Sequence, residues 1–214
     1  MESKISFMSL GWIGMGIFLS ACAMPEATDE VTAEEHMVRF RKLPIEYKIA
    51  SSVPEAMRSD VHEGFQAWNR ALQREVFVFA GLKKLKEDQL DPSYTFDENV
   101  VLATQREGNA FHGEGENPGP LARTFLKGVK DIVDADIYLF DFEKNFMTGT
   151  DEYGDVYSVK SVVMHEAGHM LFGPEHSDDE HSIMTAGLYP KGHPAEKLAL
   201  GDCDVEKFNQ IYGQ

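Results

Sequence analysis

Residues 165–176 read His165-Glu166-Ala167-Gly168-His169-Met170-Leu171-Phe172-Gly173-Pro174-Glu175-His176. His165 and His169 are four positions apart. At about 3.6 residues per turn, a helix sends both imidazoles out on one side, where they meet a single metal ion. Glu166 is turned by about 100° from His165, so its carboxylate approaches a metal-held water from the side and need not ligate the metal. Two neutral imidazoles suit Zn2+, which lowers the pKa of a bound water toward neutrality. The carboxylate then serves as general base and afterwards returns the proton to a leaving amine. The residue pattern predicts the carrying helix over residues 157–171, with Val159, Val162, Val163 and Met164 as apolar surface. Gly173 falls at the expected helix end, where a positive-φ cap is wanted. His176 follows, in place for a third ligand from a chain turning back, and Ser182-Ile183-Met184 precedes a turn.

Upstream of this stretch the pattern is that of an α/β domain. Ile45-Glu46-Tyr47-Lys48-Ile49 alternates apolar and polar residues like a half-buried strand. Ser52 with Glu55 three positions on has the form of a capped helix start. Met57, Val61, Phe65, Trp68 and Leu72 then make one apolar stripe, and aromatics at helical spacing are read as core. Further strands are predicted at residues 76–79, 100–103, 121–126 and 136–140. Residues 107–120 form a loop rich in Gly, Glu, Asn and Pro. A closing helix is expected over residues 203–214, with Asp202 or Asp204 as cap and Val205, Phe208 and Ile211 as its stripe.

These residues resemble the metzincin clan of zinc endopeptidases, and its matrixin-like bacterial members in particular. That family carries H-E-x-x-H-x-x-G-x-x-H followed by a methionine turn, for which Met184 stands in place here. The resemblance extends to Trp68 on the first helix, Ala135-Asp136-Ile137 on the strand before the active-site helix, and Gln210-Ile211-Tyr212-Gly213 at the close. It spans roughly residues 40 to 213 and implies hydrolysis of a protein or peptide substrate at one catalytic Zn2+ held by His165, His169 and His176, with Glu166 as catalytic base. It also implies that the extended peptide pairs with an antiparallel edge strand, residues 121–126.

One departure concerns the third ligand. Three residues, Met170-Leu171-Phe172, separate His169 from Gly173 where the family has two, so Glu175 takes the usual offset of the third ligand. One added helical residue turns the exit by about 100° and advances it about 1.5 Å. A π-bulge or a looser turn would absorb that. His176 is the expected ligand because Gly-x-x-His-Ser is intact after the insertion, with Glu175 as the alternative. His181 reads as an exposed loop histidine, and Glu196 as the ligand of a rival arrangement with a distant helical carboxylate. Tyr189 lies five beyond Met184 and is expected in the specificity pocket or the core. Arg123 stands where family members have a histidine for a structural metal. A second cation site, for Ca2+, would draw on His112, Glu114 and Glu116, which otherwise read as a solvated loop.

The first residues read as a processing segment. Residues 5–19 carry no charge, and the segment closes on Leu19-Ser20-Ala21-Cys22, which resembles a bacterial lipobox. The expected organisation is a lipoprotein signal peptide over residues 1–21, a lipidated Cys22 with an acidic tether over 22–36, and a metzincin-like catalytic domain over 37–214. Anchoring through Cys22 makes a membrane the expected second partner, in the envelope of a bacterium; Ala23 after the cysteine implies the outer membrane in a Gram-negative cell. With Cys22 acylated only Cys203 remains, so no intrachain disulfide is expected. The short tether leaves no room for an inhibitory pro-domain. A formal charge of -16 speaks against nucleic acid, whose phosphates need basic patches.

The expected fold is α/β in the α+β sense: a metzincin-like zincin domain with a twisted, mixed five-stranded sheet, a long active-site helix and a C-terminal helix. The expected function is zinc-dependent endopeptidic hydrolysis. The alternative is a catalytically inactive metzincin-like lipoprotein acting as a binding module, against which the retained Glu166 speaks.

Overall fold

The alternating segment at residue 45 becomes strand β2 (Ile45–Ala50), with Ile45, Tyr47 and Ile49 turned into the core and Glu46 into solvent. The computed structural model describes residues 39–86, 89, 96–104, 121–128, 131–140, 145–146 and 156–213. The predicted cation residues His112, Glu114 and Glu116, together with Cys22 and the processing segment, lie outside the described residues. Around β2 stand β3 (Phe77–Lys83), β4 (Val100–Thr104), β5 (Ala122–Lys127) and β7 (Asp134–Phe140), in the order β3-β2-β4-β7-β5. Neighbours run parallel except β5, which pairs antiparallel with β7 as an edge strand. The short connection from β5 to β7 permits that hairpin-like return, whereas parallel neighbours need a crossover. The crossover between β2 and β3 is helix α1 (Arg58–Leu72). Two short strands, β1 (Arg39–Phe40) and β6 (Asp131–Ile132), pair parallel in a small second sheet that sequence patterning did not predict. The mixed five-stranded sheet with its helices is the expected α/β arrangement.

The apolar stripe of α1 faces the core as predicted: Val61, Phe65 and Trp68 are buried, and Met57 and Leu72 pack at its margin. Ser52 does not cap this helix. Pro54 precedes a 3-10 turn over Glu55–Met57 that leads into α1, and the Ser52 hydroxyl accepts from the N–H of Ala103 at 3.1 Å, tying β2's exit to β4. A serine hydroxyl serves either role, and only the neighbouring strand decides which. The strand predicted at residue 76 begins at Phe77 and runs on to Lys83. Asn69 of α1 sets that start: its Oδ1 accepts from Val76 N–H at 2.8 Å and Phe77 N–H at 2.9 Å.

Helix α2 (Val159–Phe172) starts at Ser158, whose hydroxyl accepts from Ser161 N–H at 3.3 Å. Nearly every residue of α2 is buried, including His165, Glu166 and His169. It is therefore a central helix rather than an amphipathic one, enclosed by the sheet and by α1. Trp68 is fully buried against it and donates its indole N–H to Met164 O at 2.9 Å. Helix α3 (Asp202–Tyr212) closes the chain, and the Tyr212 hydroxyl donates to Leu171 O at 3.0 Å, satisfying a carbonyl in the last turn of α2. Neither Asp202 nor Asp204 occupies the N-cap. Gly201 does, and the Asp204 carboxylate reaches back to the Gly201 N–H at 2.8 Å.

Asp136 is buried in β7, accepting from Val100 N–H at 3.1 Å and Phe96 N–H at 3.4 Å. Burial, and then the neighbouring Asp134 carboxylate, push its pKa up from 3.8 to about 7. A carboxyl raised in the folded state contributes stability that is present below about pH 4 and is lost as pH rises through about 7. Asp136→Asn removes that dependence and also removes one acceptor. We therefore expect the asparagine variant to be less stable than wild type at pH 4, with the gap closing steadily by pH 7. Denaturant titrations at a series of pH values measure it; a gap constant across the range refutes the assignment.

Candidate active site

The two histidines of α2 meet as their spacing predicts. Their Nε2 atoms stand 3.1 Å apart, and the three ring centroids of His165, His169 and His176 lie 4.8, 4.9 and 5.3 Å from one another. One ligand nitrogen from each histidine falls within 4.8 Å of the other two. Each buried ring is oriented by a backbone carbonyl: His165 Nδ1 meets Ile183 O at 2.7 Å, and His169 Nδ1 meets Gly173 O at 2.9 Å. A carbonyl only accepts, so Nδ1 carries the proton in both rings and the two Nε2 lone pairs face each other. Burial lowers the pKa of His165 to about 4, and burial likewise lowers that of His169. Both imidazoles are thus neutral at physiological pH, the ligand form. Two nitrogens held about 2.0–2.1 Å from one tetrahedral zinc stand roughly 3.3 Å apart. The observed donor set fits a metal ion, and two opposed lone pairs in a buried site call for a cation between them.

The residue inserted before Gly173 causes no bulge. Helix α2 stays α-helical through Phe172, and Gly173 N–H still reaches His169 O at 3.0 Å. Gly173 then takes φ 79, a conformation that favours glycine, and the chain breaks away from the helix axis there. The structure brings His176 to the cluster and leaves Glu175 exposed outside it. After His176, Ser177 N–H donates to Met184 O at 2.8 Å, which fastens the returning segment to the turn beneath α2. His181 is exposed beside Glu180, and the Glu196 carboxylate accepts from Gly192 N–H at 2.7 Å; neither joins the triad.

Met184 is buried under the helix, where Gly168 makes room for it. A Cβ on Gly168 would lie 2.1 Å from Met184 Sδ and 3.1 Å from Trp68 Cζ2. The turn that carries Met184 is held by Asp204. That carboxylate accepts the Ser182 hydroxyl in a short hydrogen bond and the Ile183 N–H at 2.8 Å, besides the Gly201 N–H. Since Ile183 O in turn orients His165, Asp204 connects α3 to the metal site through one residue, Ile183. In sequence this aspartate is indistinguishable from a helix cap, and sequence reading missed its second task.

Glu166 is buried beside the triad and its carboxylate accepts the Thr124 hydroxyl at 2.6 Å. Burial raises its pKa to about 7, opposed by the Thr124 hydrogen bonds and by Arg123. Thr124 is a site residue that sequence reading also missed. The available signal was strand alternation, which places it on the same face of β5 as Ala122 and Leu126, toward α2. Arg123 is an exposed residue of β5 on the cleft. The cleft has a volume near 590 Å³ and runs between β5 and the segment after Met184, bordered by Leu121, Tyr157, Val162, Ala186 and Leu188. Tyr189 does not line it and is not core. It is 44% exposed and stacks on His193, because the loop turns outward after Leu188.

A mixed sheet with an antiparallel edge, a buried helix bearing two histidines and a glutamate, and a third histidine returned over a methionine turn together define the metzincin class of metallopeptidase fold. Residues 39–213 match the matrixin family of peptidases, and the chain belongs to it. No curated protein matches the chain. Among solved structures it is similar to archaemetzincin from Methanopyrus kandleri, at 13% identity and a TM-score of 0.51, over 79% of this chain and 96% of that one. It also matches high choriolytic enzyme 1, a hatching enzyme zinc-protease from the medaka Oryzias latipes, at 9% identity and a TM-score of 0.39, over 82% and 94% of the two chains.

Proposed function

We propose that the protein is a zinc endopeptidase in which His165, His169 and His176 hold the ion and Glu166 is the general base. The observation that carries this reading is the meeting of three histidine nitrogens within 4.8 Å beside a buried glutamate. Zinc held there supplies Lewis acidity at the cleft floor. Glu166 takes a proton from the attacking water and passes it to the departing amine, a task suited to a buried carboxylate beside the triad. The outer edge of β5 has no strand partner among the described residues. An extended peptide substrate laid along it gains main-chain hydrogen bonds and enters the cleft in register with Glu166.

The test is metal content and casein cleavage together. The purified protein is expected to hold one zinc per chain and to lose cleavage on chelation, with recovery on zinc addition. His176→Ala should lower zinc occupancy strongly, while Glu175→Ala keeps it. The opposite pattern makes Glu175 the third ligand, and a wild type that binds zinc yet cleaves nothing supports the binding-module alternative.

We further propose export and anchoring in the bacterial envelope through acylated Cys22, in the outer membrane of a Gram-negative cell. The support is the lipobox-like Leu19-Ser20-Ala21-Cys22 after an uncharged apolar segment. Intact mass of protein extracted from membranes tests it: diacylglyceryl addition supports the anchor, and a chain without lipid refutes it.

A further inference from the structure

We propose that Thr124 is a positioning residue for Glu166, holding one oxygen of its carboxylate so that the other faces the attacking water. The inference rests on the reading of Glu166 as general base. Thr124 Oγ1 donates to Glu166 Oε2 at 2.6 Å and lies 3.0 Å from Glu166 O. The hydroxyl has one proton, and the nearer, charged acceptor takes it. Among the described residues no other side chain bonds to the Glu166 carboxylate. A buried glutamate has broad freedom about its last torsion, and a single short hydrogen bond removes most of it.

The placement has a second consequence. Thr124 sits at the middle of β5, paired with Ile137 of β7, and β5 is the edge along which a substrate strand would lie. The strand that aligns the scissile peptide therefore also holds the base. A peptide docked on β5 and the carboxylate anchored to β5 share one frame, so their separation does not depend on how α2 breathes against the sheet. Small errors in such a distance are costly to rate. The hydroxyl's approach to Glu166 O would by itself be a plain strand-to-helix tie, and the experiment has to tell the two roles apart.

Thr124→Val keeps shape and removes the donor; Thr124→Ser keeps the donor and removes a methyl group. Zinc-loaded Thr124→Val is expected to lose roughly 10–100-fold in kcat with KM and zinc content unchanged, the range seen when an outer-shell hydrogen bond is removed. A peptide hydroxamate, whose acidic proton is shared with the base, should bind the valine variant roughly tenfold more weakly, or about 1.4 kcal/mol. Thr124→Ser should restore both quantities. Wild-type kcat and hydroxamate affinity in Thr124→Val, even with a lowered thermal midpoint, would show a structural tie only and overturn the proposal, as would a serine variant as impaired as valine. Glu166→Ala is the control that separates the two readings. If it cleaves like wild type, the general-base reading fails and this inference fails with it. If it is inactive while Thr124→Val is fully active, only this inference fails.

Discussion

Glu166→Gln is expected to lower kcat by roughly 10²–10⁴-fold, the usual contribution of a positioned acid–base group, while zinc content stays at one per chain. The amide matches the carboxylate in size and still accepts the Thr124 hydroxyl, but it takes no proton from water. Zinc retention follows because the three histidine nitrogens are oriented by Ile183 O and Gly173 O and by the turn after Gly173, none of which touches Glu166. The fold should also hold. Burial raises the Glu166 pKa from 4.5 to about 7, so in the metal-free protein this group's contribution to stability is present below about pH 4.5 and lost as pH rises through about 7. Glutamine carries no charge to bury, and the metal-free variant should be at least as stable as wild type at pH 8. Steady-state kinetics, metal analysis and denaturation measure the three quantities. Full activity in Glu166→Gln removes the general-base role outright.

Asp204→Ala is expected to give the largest loss of stability, roughly 3–5 kcal/mol, from about 1–3 kcal/mol for each of the two buried donors left without an acceptor, the Ser182 hydroxyl and the Ile183 N–H, and less from the half-buried Gly201 N–H. Asp204 is 2% exposed and receives the Ser182 hydroxyl, the Ile183 N–H and the Gly201 N–H. Its removal strands all three and loosens the start of α3 together with the turn that carries Met184. Zinc affinity should fall as well, by roughly 10–100-fold, because Ile183 O orients His165 and the N–H of that same residue loses its anchor. Asp204→Asn keeps an acceptor and should recover part of both losses. Denaturant unfolding and competition with a chelator read the two effects separately. A destabilised variant with wild-type zinc affinity would break the proposed connection from Asp204 to His165.

Local patterns carried much of the fold. Period-two alternation in residues 45–49 and the apolar stripe Val61, Phe65, Trp68 describe elements whose burial is decided within one strand or one helix turn. Errors arose wherever a polar side chain had two lawful partners. Ser52 looked like a helix cap and serves β4; Asp204 looked like a cap and clamps a distant turn; Asn69 sets the first residue of β3 from a neighbouring helix. A hydroxyl, amide or carboxylate bonds whatever donor or acceptor tertiary packing brings within about 3 Å. Sequence spacing does not contain that information.

The site divides along the same line. The relative placement of His165, Glu166 and His169 was determined by sequence alone, because five consecutive residues on one helix fix their relative directions through the helical repeat. The third member of the cluster was not. One added residue before Gly173 left His176 and Glu175 both in reach, and the tertiary structure brings His176 to the cluster and leaves Glu175 outside it: Gly173 turns the chain at φ 79 and the Ser177–Met184 hydrogen bond holds the return in place. Thr124 and Asp204 entered the site only through folding, since β5 and α3 lie tens of residues away from α2. Chemistry confined to one helix turn is legible in the sequence, and contacts that join separate elements are made by packing.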